Sequence, residues 1–241
     1  MGTVVSFRVF PGCAGIDSAR TAVDEAREVL HEVDATFSTW RPDSPISRLR
    51  RGELALSDMA PQVLEVLELC QQAKASSRGW FDPWAMPGGV DPTGLVKGWS
   101  LDVALAKLRE AGLEAALLNA GGDLAGFGSP GPGDGWRIGI RHPWLRDALA
   151  CVVQLRSAVA TSGPYERGAH LVDPRSGEPA QTVASATVTG PNLAMSDALA
   201  TALAVGGHDA FDAVATLEGY EAYVIDTDGS ERATPGMVFL D

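Results

Sequence analysis

Asp197 and Thr201 stand four residues apart in residues 194–203, a run of small and apolar residues that reads as a buried helix. Residues at that spacing share one helical face, so a carboxylate and a hydroxyl would aim two hard oxygens at one point. Such a donor set suits magnesium better than zinc or copper. A purely structural role is the other reading, with Asp197 capping or buttressing the helix and Thr201 bonding back to a preceding carbonyl.

A second group, Asp91, Gly94 and Lys97, lies just before an expected helix. Unpaired backbone N–H groups and the positive dipole end favour an anion there, although an ordinary helix cap with a solvated Lys97 has the same residues. Asn119-Ala120-Gly121-Gly122-Asp123 follows an apolar run and could let the backbone approach a ligand, but its spacing alone favours a tight strand-to-strand turn. Asp173-Pro174-Arg175-Ser176-Gly177 reads as a turn as well.

Other chemistries lack support. Gly126, Gly128 and Gly131 match a dinucleotide-binding GxGxxG in form, yet Pro130 and Pro132 interrupt it where a helix should begin. His31, His142, His170 and His208 show no HExxH spacing, and there is no GxSxG elbow. The formal net charge is −12, and the 19 Lys and Arg residues form no run, which argues against a nucleic-acid surface. Cys13, Cys70 and Cys151 are odd in number and far apart, so they are expected to be small core residues and not disulfide or zinc partners.

The elements that must position these groups can be read from periodicity. With 241 residues and 45% hydrophobic content, a core of ordinary size and one domain over 1–241 are expected. Alternation over 4–10 predicts a strand in place of a signal peptide, and no apolar run approaches a membrane span, so a cytoplasmic protein is expected. Helices are expected over 16–37, from Pro61 (capped by Ser57 or Asp58) to near Gly79, over 97–111 with Gly112 as cap, over 195–205 and over 208–217. Strands are expected over 115–118, 136–140, 150–155, 184–189 and 222–225, with loops at 38–47 and 80–91. Residues 126–135 read as a hairpin connection. Helices and strands mix without a regular βα period, which points to a single-domain α+β fold.

Read in order, several blocks resemble one family. They are Met1-Gly2-Thr3, Ser38-Thr39-Trp40-Arg41-Pro42-Asp43-Ser44, Phe81-Asp82-Pro83 and Lys97-Gly98-Trp99-Ser100-Leu101-Asp102. Asn119-Ala120-Gly121-Gly122-Asp123, Ala160-Thr161-Ser162-Gly163, His170-Leu171-Val172-Asp173-Pro174-Arg175-Ser176-Gly177 and Asp197-Ala198-Leu199-Ala200-Thr201 continue the series. Each is weak alone, but their collinear order over nearly the whole chain resembles the ApbE family of FAD:protein FMN transferases.

That resemblance implies an ApbE-like fold and a reaction in which FMN passes from FAD, through its phosphate, to a Thr or Ser hydroxyl of an acceptor flavoprotein, with AMP leaving. Magnesium is the implied metal, with Asp197 and Thr201 as side-chain ligands and Gly94 and Ala200 as carbonyl ligands. Met1, Trp40, Trp80, Phe81, Asp82, Asp91, Lys97 and Leu171 match positions lining the FAD pocket. Trp40 could stack on a flavin or adenine face. Because the nucleophile belongs to the acceptor, the chain needs a base, and His170 is the candidate.

The chain also departs from the family. Residues 84–90 stand where many members carry a longer segment, and Asp91-Pro92-Thr93-Gly94-Leu95-Val96 replaces the usual glycine-rich run before the lysine. Two rival readings use the same residues: a magnesium-dependent pyrophosphatase giving FMN and AMP, and a non-catalytic FAD-binding protein.

Overall fold

The computed structural model of the chain describes residues 2–131, 133, 135–164, 171–180 and 182–241. In chain order the elements are β1 (Val5–Phe10), α1 (Ile16–Phe37), α2 (Pro45–Arg50), α3 (Pro61–Ser76), α4 (Thr93–Glu110), β2 (Ala115–Ala120), β3 (Asp123–Phe127) and β4 (Arg137–Arg141). They continue with β5 (Leu149–Gln154), β6 (Ala158–Ser162), β7 (Val183–Gly190), α5 (Leu193–Val214), β8 (Glu221–Asp226), β9 (Glu231–Ala233) and β10 (Phe239–Leu240). A seven-stranded sheet runs β1-β2-β3-β6-β7-β8-β9, and a three-stranded sheet runs β10-β5-β4. Neighbouring strands in both are antiparallel, as an α+β fold requires.

The large sheet lies between two layers. On one face, Leu30 of α1, Leu101 and Leu108 of α4, and Leu199 and Leu203 of α5 pack with Ala116, Leu118, Ala186 and Val188 of the strands. On the other, Ala115, Val159, Tyr223 and Ile225 meet Ile138, Ile140 and Val153 of the small sheet. Strand β7 is covered from both sides, and every residue of it is buried. That is why its sequence is a near-continuous run of small and β-branched residues instead of an alternating one. A third cluster joins Val63, Val66 and Cys70 of α3 to Phe37, Trp99 and the alanines Ala198 and Ala202 of α5.

Local rules account for most boundaries. Ala19, Ala22, Ala26, Leu30, Val33 and Phe37 recur every three or four residues and form the buried stripe of α1, while Val23, expected on it, is only half-buried. The 119–123 block is the tight turn its spacing suggested. Gly121 (φ 62°) and Gly122 (φ 104°) take the left-handed conformations that a two-residue hairpin needs, and Asn119 Oδ1 accepts the Gly122 N–H at 2.9 Å.

Five expectations are corrected. Residues 45–50 form α2, which begins inside the loop expected over 38–47 and runs past it, started by Ser44, whose hydroxyl oxygen accepts the Ser47 N–H at 3.1 Å, and by Pro45. Helix α4 opens at Thr93, one turn before Lys97, so Gly94 and Lys97 share a helical face. The helices expected over 195–205 and 208–217 form one element, α5, broken at Gly207 (φ 55°, ψ −127°). Residues 126–135 do not close a hairpin: β3 belongs to the large sheet and β4 to the small one. Of the cysteines, Cys70 is buried, whereas Cys13 is exposed and Cys151 half-buried.

Candidate active site

Helix α5 is held in place by α4. The carboxylate of Asp102 accepts the N–H groups of Leu193 (2.9 Å) and Ala194 (2.8 Å), the first residues of α5, and Asn192 Oδ1 accepts the Met195 N–H at 3.0 Å. Orphan donors at a buried helix start are thereby satisfied. Burial raises the Asp102 carboxyl to about 6, with the two N–H bonds pulling the other way. Gly98 permits this closeness, because a Cβ there would lie 2.3 Å from the Leu193 carbonyl oxygen.

With α5 so fixed, Asp197 and Thr201 face the first turns of α4. Asp197 is 2% exposed; its Oδ2 accepts the Gly98 N–H at 3.3 Å and its Oδ1 lies 3.4 Å from Lys97 Nζ. Burial pushes its carboxyl well above the ordinary carboxylate range; Lys97 opposes that shift and Asp123 adds to it. Lys97 also pairs with Asp123, whose Oδ1 accepts the Thr161 N–H at 2.9 Å. Thr201 Oγ1 is 3.4 Å from the Ser162 hydroxyl, and a Cβ on Gly94 would come within 3.9 Å of it. Gly94 therefore stands beside Thr201, with the Phe81 ring 3.1 Å from where its Cβ would be.

Of these, Gly94, Lys97, Thr161, Ser162, Asp197 and Thr201 line a cavity of about 480 Å³. Trp40, Trp80, Phe81, Asp82, Asp91, Gly94, Lys97, Leu171, Asp197 and Thr201, each singled out in the sequence, all border it. Phe81 forms a floor against Gly94, and Trp80 lies against Gly206, where a Cβ would be 2.4 Å from its ring. The guanidinium of Arg175 is 3.5 Å from the Trp80 ring centroid. Trp40, 93% exposed, stands at the mouth with its indole face open. Ala200 is buried in the helix-to-sheet core and does not border the cavity. Met1 and His170 lie outside the described residues.

The acidic groups in and beside the cavity are unevenly paired among the described residues. Asp82 pairs with Lys74 (2.7 Å) and Asp91 with Arg50 (3.3 Å), while Asp123 and Asp197 share Lys97. Among the described residues, Asp123 and Asp197 thus set two buried carboxylates against the one Lys97 ammonium, which leaves room for further positive charge at Asp197. The oxygens available there, from Asp197, Thr201 and Ser162, are hard donors. No group of three or more His, Cys, Asp or Glu side chains that could hold a metal occurs among the described residues. The donor set fits magnesium, which is held by few protein ligands and completed by water or phosphate oxygens.

Sequence reasoning missed Ser162 and Asp102 as working parts; for Asp123, spacing alone gave a turn, and the family resemblance implied that residues 119–123 shape the flavin side of the pocket. The 119–123 block was the available signal for Asp123, since the hairpin that it builds also carries the carboxylate to Lys97.

The chain is 39% identical over 158 residues to a FAD:protein FMN transferase of Rhodobacter capsulatus, covering 61% of this chain and 30% of that one. To a Vibrio cholerae protein of the same name it is 26% identical over 276 positions, covering 89% and 82%. It thus spans about a third of the first relative's length and about four-fifths of the second's. The fold matches the flavin transferase ApbE from Vibrio cholerae with a TM-score of 0.83 at 23% identity, covering 98% of this chain and 94% of that one. Since the ApbE family model matches residues 1–88 and 86–224, the chain belongs to the ApbE family.

Proposed function

We propose that residues 1–241 act as one flavin transferase domain that moves FMN from FAD to a Thr or Ser hydroxyl of an acceptor flavoprotein and releases AMP. The observation that carries this reading is the convergence of Trp40, Trp80, Phe81, Asp82, Asp91, Lys97 and Leu171 with Gly94, Asp197 and Thr201 on one cavity. Family membership and the names of the relatives support it.

FAD would lie in this cavity with its diphosphate toward Lys97 and its planar rings toward the aromatic walls and Trp40. Magnesium is the metal that the donors suit; Asp197 and Thr201 would hold it with the Gly94 carbonyl, whereas Ala200, whose carbonyl the family resemblance also implies, does not border the cavity. Bound there, it would neutralise charge on the diphosphate oxygens. The acceptor hydroxyl oxygen bonds to the phosphorus of the FMN half, and the phosphoanhydride bond to the AMP half breaks. His170 is proposed to take the hydroxyl proton, since an imidazole can accept one near neutral pH. Lys97, anchored by Asp123, offers its ammonium to the phosphate oxygens throughout.

The test is incubation of the chain with FAD and Mg²⁺, with and without an acceptor flavoprotein, followed by mass spectrometry and AMP assay. Covalent FMN on one Thr or Ser with matching AMP is expected. Rapid AMP release without acceptor would make the chain a pyrophosphatase, and FAD binding with no AMP under any metal condition would make it a binding protein.

A further inference from the structure

Arg50 closes α2 and is half-buried, and its guanidinium is gripped by residues 87–91. Nη2 donates to the Pro87 carbonyl at 2.7 Å, Nε to the Gly88 carbonyl at 3.1 Å and Nη1 to Asp91 Oδ2 at 3.3 Å. The backbone wraps the arginine closely because Gly88 (φ 80°) and Gly89 (φ 105°) take left-handed conformations. A Cβ on Gly88 would lie 2.8 Å from Nη2, and one on Gly89 would lie 3.6 Å from the Arg50 backbone. Such a wrap needs both glycines.

Asp91 extends the chain of contacts into the cavity. Its second oxygen accepts the Thr93 N–H at 3.0 Å and the Thr93 hydroxyl at 2.6 Å, and its own N–H donates to the Pro83 carbonyl at 2.9 Å. The first turn of α4, which carries Gly94 and leads into Lys97, is thus tied through Asp91 to Arg50. At its other end, α2 is tied to the Trp40 rim, where the Ser44 and Ser47 hydroxyls both donate to the Ser38 carbonyl, at 2.6 and 3.1 Å. Met86, inside the wrapped stretch, borders the cavity.

We propose that Arg50 is a positioning residue for the substrate: it braces the 83–91 wall and the start of α4 against the Trp40 rim, and so sets the affinity for FAD. It touches no cavity surface itself and acts through Asp91 and Met86. A planar fork with fixed donors can do this, because three of its N–H groups are satisfied at once in one orientation. Lysine could keep the charge pair with Asp91 but not the two carbonyl contacts.

The inference rests on FAD being the ligand, so wild-type binding is measured first, by quenching of flavin fluorescence. If the wild type does not bind FAD, the functional reading fails. Given binding, Arg50→Met is expected to raise the FAD Kd by about tenfold, and Arg50→Lys by an intermediate factor, as for other residues that orient contact groups. Amide hydrogen exchange should rise over residues 83–95 in Arg50→Met and stay at the wild-type level in β7 and the middle of α5. A Kd for Arg50→Met within twofold of wild type would overturn the proposal. So would equal losses in both variants accompanied by faster exchange throughout the molecule, which would reduce Arg50 to a general stabiliser.

Discussion

Lys97 Nζ lies 3.4 Å from Asp197 Oδ1 while pairing on its other side with Asp123. One ammonium thus serves two buried carboxylates brought in by a helix and a hairpin, and Asp197 stands one helical turn from Thr201. From that imbalance the first prediction follows. Asp197→Asn keeps the shape and removes the charge, so metal-dependent AMP formation should fall at least about a hundredfold. FAD binding should weaken far less, because the aromatic walls and Lys97 remain. Parallel AMP assays and flavin-fluorescence titrations check both halves, and full activity in the variant would refute the assignment of Asp197.

Gly98→Ala tests the packing that presents Asp197. A methyl group 2.3 Å from the Leu193 carbonyl oxygen cannot be accommodated without separating α4 from α5. Overpacking of this kind costs about 1–3 kcal/mol, which urea denaturation would register. Activity should fall more than the stability change explains, since the N-terminal turn of α5 would move away from Lys97.

The Asp102 cap confers a pH dependence. Its carboxyl is raised from 3.8 to about 6 in the folded chain, so between those values the folded state holds a proton that the unfolded state has released. Stability should therefore decline as pH rises from about 4 to about 6 and level off above, a shift on the order of 3 kcal/mol. In Asp102→Asn this part of the slope should vanish. Thermal melts of the two proteins across pH 4–8 would show it; parallel pH profiles would remove Asp102 as the source.

Trp40 is 93% exposed, so it contributes almost nothing to the core. Trp40→Ala should leave stability within about 0.5 kcal/mol of wild type. Loss of an aromatic stacking surface should weaken FAD binding by about five- to tenfold, and Trp40→Phe should recover most of it. Calorimetric titration and a thermal melt on each variant separate these effects, and unchanged affinity in Trp40→Ala would mean that the indole does not meet the ligand.

Period and spacing along the chain determined a good deal by themselves. The 3.6-residue stripe of α1, the positive-φ pair Gly121-Gly122 and the shared face of Asp197 and Thr201 are all local, because helical and hairpin geometry depends on neighbours a few residues away. Collinear blocks added the membership of a family and, through it, the cavity residues. Helix α2 escaped notice because six residues are too few for a period to emerge.

Only the tertiary structure decided which groups pair. Arg50 meets Asp91 across 41 residues of sequence, Asp102 caps Leu193 across 91, and Gly98 donates to Asp197 across 99. No spacing rule reaches that far: a buried carboxylate needs a partner, but any of several cations could meet that need until packing brings one within reach. The two oxygens of Asp197 and Thr201 were written in the helix period; the pairing of Lys97 with Asp197 and Asp123, and that of Arg50 with Asp91, were settled by the packing of α4 against α5 and of α2 against the 83–91 stretch.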